Sequence, residues 1–255
     1  MEIRALGVYG NQLLRKRTTT FMINHTLLID AGAITASLTL KEQAEINNII
    51  LTHSHADHIK DIAFLADNVI GRKPVSITIY GSETVINDVR EHYLNDKIWP
   101  DFTIIPSTQN PVFKYEVIEV EKEFSVCNLK IMPVRVNHPV FTTGLIVSDG
   151  KVTVAFSSDT SPTERFWEVV NSYRKIDALF IETSFPSELE KLAEVSGHLT
   201  PAMLSKELEK FRFLGKSRIF IYHIKPAFER KVKREIMKLG IPNLRILRQN
   251  EIIKL

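Results

Sequence analysis

The stretch His53-Ser54-His55-Ala56-Asp57-His58 follows a short apolar run and precedes a segment whose apolar residues recur at helical spacing. The six residues are therefore expected at the turn between the end of a buried strand and the start of a helix. Side chains two positions apart in an extended turn point the same way, so His53 and His55 can bind one metal ion together. Asp57 and His58 would face the same cleft and could bind a second ion.

A helix cap is the plainer explanation of this stretch, with Asp57 as the capping residue and the histidines hydrogen-bonded to the backbone. Three histidines and a carboxylate within so short a segment are difficult to explain in that way. Imidazole and carboxylate groups are ligands that Zn, Mn and Fe accept in proteins. The stretch therefore predicts a metal site.

Length and composition set the class of protein. The chain has 255 residues, of which 44% are hydrophobic and 25% charged, as expected of one globular domain over residues 1–255. Its single cysteine, Cys127, excludes a disulfide framework, fits a reducing compartment and is predicted to be a small core residue. The N-terminus lacks a secretory pattern, and no apolar run approaches the ~20 residues that cross a bilayer. We therefore expect a cytoplasmic protein without a membrane partner.

Six of the predicted strands end in a polar residue that can bind a metal ion or a proton. These residues are Asp30, His53, His138, Asp159, Glu182 and His223. Because catalytic groups collect where the strands of a layered α/β fold end, the six are expected in one cleft. Taken singly, Asp30 could be only a turn former, and His138 or His223 could be core histidines with satisfied hydrogen bonds.

The second half of the chain also carries clear helix signals. Thr200 as the N-cap and Pro201 at the first helical position predict a helix that continues to about Leu214. Another helix is predicted from about Ala227 to Leu239, where Gly240 would end it. A terminal strand or hairpin is expected to close the chain.

The HxHxDH pattern after an apolar strand resembles the metallo-β-lactamase superfamily, whose fold is a four-layer αββα sandwich of the α/β (α+β) class. The resemblance implies two divalent metal ions, with Zn²⁺ expected first and Mn²⁺ or Fe²⁺ as alternatives. It also implies that Asp30 supports the metal-binding loop. The implied ligands are His53, His55 and His138 for the first ion, Asp57, His58 and His223 for the second, and Asp159 as a bridge between both.

Three further segments resemble the class II cyclic-nucleotide phosphodiesterases within that superfamily: "IWPDF" at 98–102, "IETSFP" at 181–186 and "GHLTP" at 197–201. The resemblance implies hydrolysis of 3′,5′-cyclic nucleotides (cAMP or cGMP) to 5′-nucleotides by a hydroxide that bridges the two metals. Asp57 would orient that hydroxide, and His198, oriented by Glu182, would assist the phosphate and the leaving oxygen. Alternatively, His198 could be a histidine that fits the turn before the helix and has no catalytic role. Ala56 departs from the class pattern and leaves substrate preference open.

Two other functions are weighed against this one. A tRNase Z-like endoribonuclease would be expected to carry a long basic arm, which is missing, and a net charge of +3 is a small footprint for a nucleic acid partner. A non-enzymatic metal-binding module would be expected to have lost ligands, and every expected ligand is present. β-Lactam hydrolysis with a cysteine ligand lacks support, because Cys127 follows no predicted ligand strand. The resemblance makes a homodimer plausible.

Overall fold

The computed structural model describes residues 1–72 and 75–255. In these residues the strands form two mixed sheets of seven strands each. The first sheet has the order β14-β1-β2-β3-β4-β5-β6, and its strands are β1 Glu2–Gly7, β2 Thr20–Ile23, β3 Leu27–Ile29, β4 Asn48–Ile50, β5 Ile77–Gly81, β6 Phe113–Val117 and β14 Glu251–Lys254. The second sheet has the order β13-β12-β11-β10-β9-β8-β7, and its strands are β7 Phe124–Val126, β8 Leu129–Arg135, β9 Thr143–Ser148, β10 Thr153–Phe156, β11 Ala178–Glu182, β12 Arg218–Tyr222 and β13 Leu244–Ile246.

Helices cover the outer face of each sheet. Those against the first sheet come from the first half of the chain and are α1 Leu40–Glu45, α2 Ala56–Ile59, α3 Asp61–Val69 and α4 Glu83–His92. Those against the second sheet are α5 Arg165–Ser172, α6 Glu190–Ser196, α7 Pro201–Glu209 and α8 Glu229–Lys238. In the described part of the chain, no helix is long and apolar enough to cross a membrane.

Three hydrophobic clusters correspond to the three interfaces of a four-layer sandwich. One lies between the first sheet and its helices and includes Leu28 and Ile49 from the sheet and Leu65 from α3. A second lies between the other sheet and its helices. The third lies between the two sheets, where Phe21 packs on Phe156 with ring centroids 5.1 Å apart. The predicted αββα architecture is therefore confirmed, because each sheet buries both faces.

The helix predicted from Thr200 begins as expected but ends earlier. The Thr200 hydroxyl accepts a hydrogen bond from the amide of Met203, and Pro201 occupies the first turn. The helix stops at Glu209 instead of continuing to Leu214. Phe211 and Phe213 are both buried, and side chains two positions apart cannot share one face of a helix.

One smaller prediction is only partly right, because Cys127 packs against the cluster between the sheets but does not belong to its fully buried part. Cys127 is only half-buried and lies in the turn between β7 and β8, with its φ at +52°. A terminal strand closes the chain, as the first of the two stated alternatives has it; the hairpin does not form, because β13 joins the second sheet and β14 joins the first. In each case the outcome depends on neighbours that are distant in sequence; the Cys127 sulfur, for example, lies 3.0 Å from the Asn48 amide nitrogen.

Parallel pairing brings the candidate site together. The pairs β3–β4, β10–β11 and β11–β12 are parallel, so their carboxyl ends lie at common edges of the two sheets. Asp30 and His53 follow β3 and β4 in the first sheet. Asp159 follows β10, Glu182 ends β11 and His223 follows β12 in the second. Because the sheets are stacked, these ends open onto one cleft.

Candidate metal centre

The loop after β4 is fixed from behind by Asp30. Its carboxylate accepts hydrogen bonds from the backbone amide of Thr52 at 2.9 Å and from the Thr52 hydroxyl at 3.0 Å. Its other oxygen lies 2.7 Å from Nδ1 of His58. Asp30 has a φ of +59°, so it also turns the chain, and both roles weighed for it from sequence are found in one residue. The contact leaves Nε2 of His58 facing the cleft.

Three histidines form the first group of candidate ligands. One ring nitrogen from each of His53, His55 and His138 lies within 4.8 Å of the others. Nδ1 of His138 lies 2.8 Å from the carbonyl oxygen of Gly197, and its Nε2 lies 3.1 Å from Nδ1 of His55. A ring that donates from Nδ1 presents the lone pair of Nε2, so the Gly197 contact suits His138 to bind a cation.

Gly197 can make this contact only as a glycine. Its φ is +70°, and it ends α6 in the left-handed conformation. A Cβ at this position would lie 2.3 Å from Cδ of Pro139 and 2.7 Å from Nδ1 of His138. The glycine of the "GHLTP" segment therefore lets the helix end pack directly against the His138 ring.

The second group consists of Asp57, His58 and His223, whose ligand atoms also lie within 4.8 Å of one another. Nδ1 of His223 lies 2.9 Å from the Thr19 hydroxyl, which leaves Nε2 for the cleft. The Asp57 carboxylate lies 3.8 Å from Nε2 of His58 and 3.8 Å from Nε2 of His223. The Asp57 side chain is 26% exposed, whereas both histidine side chains are fully buried. Asp57 is therefore the member of the group that solvent can reach.

Asp159 lies between the two groups. Its Oδ2 atom is 3.7 Å from Nε2 of His53, 3.3 Å from Nε2 of His58 and 3.1 Å from Nε2 of His223. Burial by itself raises the pKa of Asp159, but His223 and His58 hold that pKa well below its ordinary value. The same contact acts on His58. Burial by itself lowers the pKa of His58, but Asp159 and Asp30 outweigh this and raise the pKa well above its usual value.

Unpartnered polar atoms test whether this cluster fits metal ions. Among the described residues, the buried atoms without a hydrogen-bond partner include Nε2 of His53, His58 and His223 and Oδ1 of Asp159. An unpaired buried polar atom costs about 1–3 kcal/mol, and four in one cleft are exceptional without a ligand. Imidazole nitrogens and carboxylate oxygens suit divalent Zn, Mn or Fe. The cluster therefore fits a divalent metal site.

His198 and Glu182 form a buried pair at the edge of the cluster. Nδ1 of His198 lies 2.8 Å from Oε1 of Glu182, and the Glu182 carboxylate also accepts bonds from the Thr160 amide and the Ser184 hydroxyl. Burial raises the pKa of Glu182, although His198 opposes this. Burial lowers the pKa of His198, yet Glu182 outweighs it and the pKa is raised. The pair therefore favours a protonated imidazole.

His198 also lies close to the candidate ligands. It lies in a group with Asp159 and His223 whose ligand atoms are within 4.8 Å of one another. Its ring centroid is 5.3 Å from that of His138 and 5.3 Å from that of His223. The structure thus places His198 beside the two ligand groups, with its Nδ1 hydrogen-bonded to Glu182.

Some residues of the site gave no recognisable signal in the sequence. Thr19 and Thr52 hold histidine and aspartate side chains in place, and both are ordinary threonines in strand-like segments. Gly10 packs so closely on His223 that a Cβ would lie 2.5 Å from its Cδ2 atom. A glycine commonly marks a turn, but nothing in the sequence indicated this contact with His223.

Comparison with known proteins shows the family to which the chain belongs. The family model described as "Beta-lactamase superfamily domain" matches residues 25–224, a range that contains all the candidate ligands. The chain is 26% identical over 207 residues to a probable 3′,5′-cyclic-nucleotide phosphodiesterase of Yersinia pestis, which covers 72% of this chain and 58% of that protein. It is also 26% identical over 195 residues to 3′,5′-cyclic-nucleotide phosphodiesterase 1 of Saccharomyces cerevisiae, covering 68% of this chain and 52% of that protein.

The match therefore spans only somewhat more than half the length of each of these two relatives. Among solved structures, unliganded yeast PDE1 superposes with a TM-score of 0.83 at 19% identity, covering 100% of this chain and 99% of that one. At this identity the likeness shows the metallo-β-lactamase fold. With the family model matching most of the chain, and with the predicted fold present, this protein belongs to the β-lactamase superfamily and has relatives named as cyclic-nucleotide phosphodiesterases.

Proposed function

We propose that the protein is a metal-dependent phosphodiesterase that hydrolyses 3′,5′-cyclic nucleotides to 5′-nucleotides. The observation that carries the proposal is the pair of candidate ligand groups, which meet at Asp159 and leave buried atoms unpartnered beside the His198–Glu182 pair. A site with two adjacent cations suits displacement at phosphorus, where both the attacking and the leaving oxygen carry negative charge. The names of the two relatives support the choice of substrate.

The proposed ligand assignment follows the two groups. His53, His55 and His138 would hold one divalent ion, Asp57, His58 and His223 the other, and Asp159 both. Zn²⁺ is proposed first, and Mn²⁺ or Fe²⁺ suit the same nitrogen and oxygen ligands. When bound, the ions supply positive charge for the phosphate oxygens and lower the pKa of a water molecule.

The remaining chemistry belongs to side chains of this chain. Asp57 is half-buried and accessible, so its carboxylate can orient the attacking water and accept its proton. His198 can donate a proton from its imidazolium ring to the 3′ oxygen as the bond between phosphorus and that oxygen breaks. Glu182 fixes the ring through Nδ1 and favours its charged form. The products would be a 3′ hydroxyl and a 5′ phosphate on the same nucleotide.

A panel of substrates tests the proposal. The purified protein would be assayed with 3′,5′-cyclic AMP and GMP, 2′,3′-cyclic nucleotides, bis(p-nitrophenyl) phosphate and a precursor tRNA, each with and without a chelator. The expected result is chelator-sensitive hydrolysis of the 3′,5′-cyclic nucleotides to 5′-nucleotides, faster than any cleavage of precursor tRNA at matched enzyme concentration. Faster removal of the tRNA 3′ trailer would overturn the substrate proposal.

A matched pair of variants separates the site from general damage. Asp57→Asn changes a carboxylate in the second ligand group, whereas Asp67→Asn changes an exposed carboxylate on α3. Only the first should abolish activity and lower the metal content. Equal activity of the two variants would exclude Asp57 from the chemistry.

A further inference from the structure

Lys225 lies at the rim of the cleft, two residues after His223. Its backbone amide donates a hydrogen bond to the carbonyl of Ser184 at 3.1 Å, which fixes the start of this loop against the strand end that carries Glu182. Its ammonium nitrogen donates to the carbonyl oxygen of Gly10 at 2.7 Å. The side chain is half-buried, so the ammonium is held in place without being removed from solvent.

The two groups beside the ammonium both touch the candidate centre. Gly10 packs on His223, since a Cβ there would lie 2.8 Å from the unpartnered Nε2 atom. The ring of Phe185 lies 6.0 Å from the Lys225 ammonium and 5.8 Å, between centroids, from the ring of His198. The positive charge is therefore placed between a residue that contacts His223 and one that contacts His198.

This charge has no acidic partner in the residues that the structure describes. The hydrogen bond that its side chain makes goes to a neutral carbonyl, and no carboxylate lies within 4.0 Å of it among those residues. Lys16 and Lys233, in contrast, both pair with Glu229. An ammonium group has three N–H donors, and the Gly10 carbonyl engages one, so two remain for another acceptor.

We propose that Lys225 binds an anionic oxygen of the substrate phosphate and positions the phosphate on the His198 side of the cleft. The inference rests on the proposed phosphodiesterase function and assigns a substrate-binding role to a residue outside both ligand groups. An ammonium is a strong binder of phosphate because it acts as a compact point charge. The Gly10 contact keeps it at the rim, so it is in place before substrate arrives.

Two substitutions separate the charge from the contact with Gly10. Lys225→Gln keeps a donor for the Gly10 carbonyl but removes the charge, and Lys225→Arg keeps the charge. Loss of one hydrogen bond to a charged group corresponds to a decrease in affinity of about 10–100-fold. We therefore expect Lys225→Gln to lower kcat/KM for the cyclic nucleotide by about that factor and to weaken competitive inhibition by orthophosphate similarly. Lys225→Arg should retain most of both, and metal content should stay unchanged.

Lys16→Gln is the matched control, because Lys16 fixes the far end of the same segment, residues 10–17, through Glu229 and the Tyr9 hydroxyl. Activity close to that of the wild type is expected. An equal loss in Lys16→Gln and Lys225→Gln would show that the segment, and not the charge, is responsible, and would overturn the inference.

The affinity for orthophosphate, measured by calorimetry, tests the inference independently of the hydrolysis reaction. If the wild type hydrolyses no phosphodiester, the proposed function fails, but a weaker affinity of Lys225→Gln for orthophosphate would still support an anion-binding role. If the wild type is active and Lys225→Gln matches it in kcat/KM and in phosphate inhibition, the proposed function stands and the role of Lys225 is refuted.

Discussion

The two sheets contribute to the candidate centre in different ways. The first sheet supplies one continuous segment, from His53 to His58, together with Asp30 behind it. The second sheet supplies single residues, His138, Asp159 and His223, which follow three different strands. One half of the centre is therefore local in sequence, and the other half exists only because distant strand ends meet.

The supports of the two halves differ as well. In the first, the charged carboxylate of Asp30 holds both Thr52 and His58. In the second, neutral groups hold the rings, the carbonyl of Gly197 for His138 and the hydroxyl of Thr19 for His223. Thr19 belongs to the segment before β2 of the first sheet, so this support crosses between the sheets. The positions of the rings in the second half therefore depend on how the two sheets are stacked.

The largest effect is expected at Asp159, which lies between the two ligand groups. Asp159→Ala should lower activity by more than the ~10–100-fold that is usual for a residue outside the ligand set, because it removes the carboxylate shared by both groups. Metal content, measured by elemental analysis of protein purified without chelator, should fall from about two ions per chain, the number implied by a two-metal site. A well-folded wild type that never exceeds one ion after reconstitution would contradict the binuclear proposal.

A smaller effect is expected for His198, which lies beside both groups. His198→Ala should lower kcat on a cyclic nucleotide by ~10²–10⁴-fold, the usual contribution of a positioned acid, while both metals stay bound. The loss should shrink with a p-nitrophenyl leaving group, which departs without a proton. Glu182→Gln should show a weaker form of the same pattern. Loss of metal from His198→Ala would make it a ligand or a structural support instead.

The supports of the two halves can be compared directly. Asp30→Asn should weaken metal binding by about 10–100-fold, because it removes the charged acceptor behind His58. Thr19→Val should weaken it by less, since a neutral hydrogen bond has roughly half the strength of a charged one. Competition with a chelator of known affinity measures both. Equal losses would show that charge does not distinguish the two halves.

The smallest effect is expected at Glu229 on α8, which pairs with Lys16 and Lys233 outside the cleft. Burial acts to raise the pKa of Glu229, but Lys16, Lys233 and Tyr9 lower it from 4.5 to about 2. The folded-state pKa lies below the unfolded one, so this carboxylate stabilises the fold above pH 4.5, and the contribution is lost as the pH falls toward 2. Glu229→Gln should lower Tm at neutral pH by about 1–4 °C.

Thermal melts at several pH values check this last prediction. The difference in Tm between Glu229→Gln and the wild type should shrink steadily as the pH falls from 4.5 toward 2. Glu194→Gln is the control, because Glu194 is exposed and forms no side-chain ion pair with another described residue. A difference that stays constant with pH would mean that Glu229 acts through packing and not through its charge.

Much of this protein could be predicted from its sequence because the relevant signals are local. The apolar run before His53 and the helical spacing after His58 placed this segment after the end of β4 and at the start of a helix, where α2 begins. Thr200 and Pro201 marked the start of α7. The polar residues at strand ends were recognisable because an apolar run stops at each of them. These features depend on periodicity and capping, which act over a few residues.

Other features were decided only by the tertiary structure. Lys225 and Gly10 are distant in sequence, and neither one indicates that their contact lies beside His223. The end of α7 at Glu209 and the exposure of Cys127 likewise depend on which neighbours pack against them. The physical reason is that burial, charge and hydrogen-bond partners are properties of groups brought together by the stacked sheets. A strand ending predicts where a side chain emerges, and only the packing of the two sheets determines what it meets.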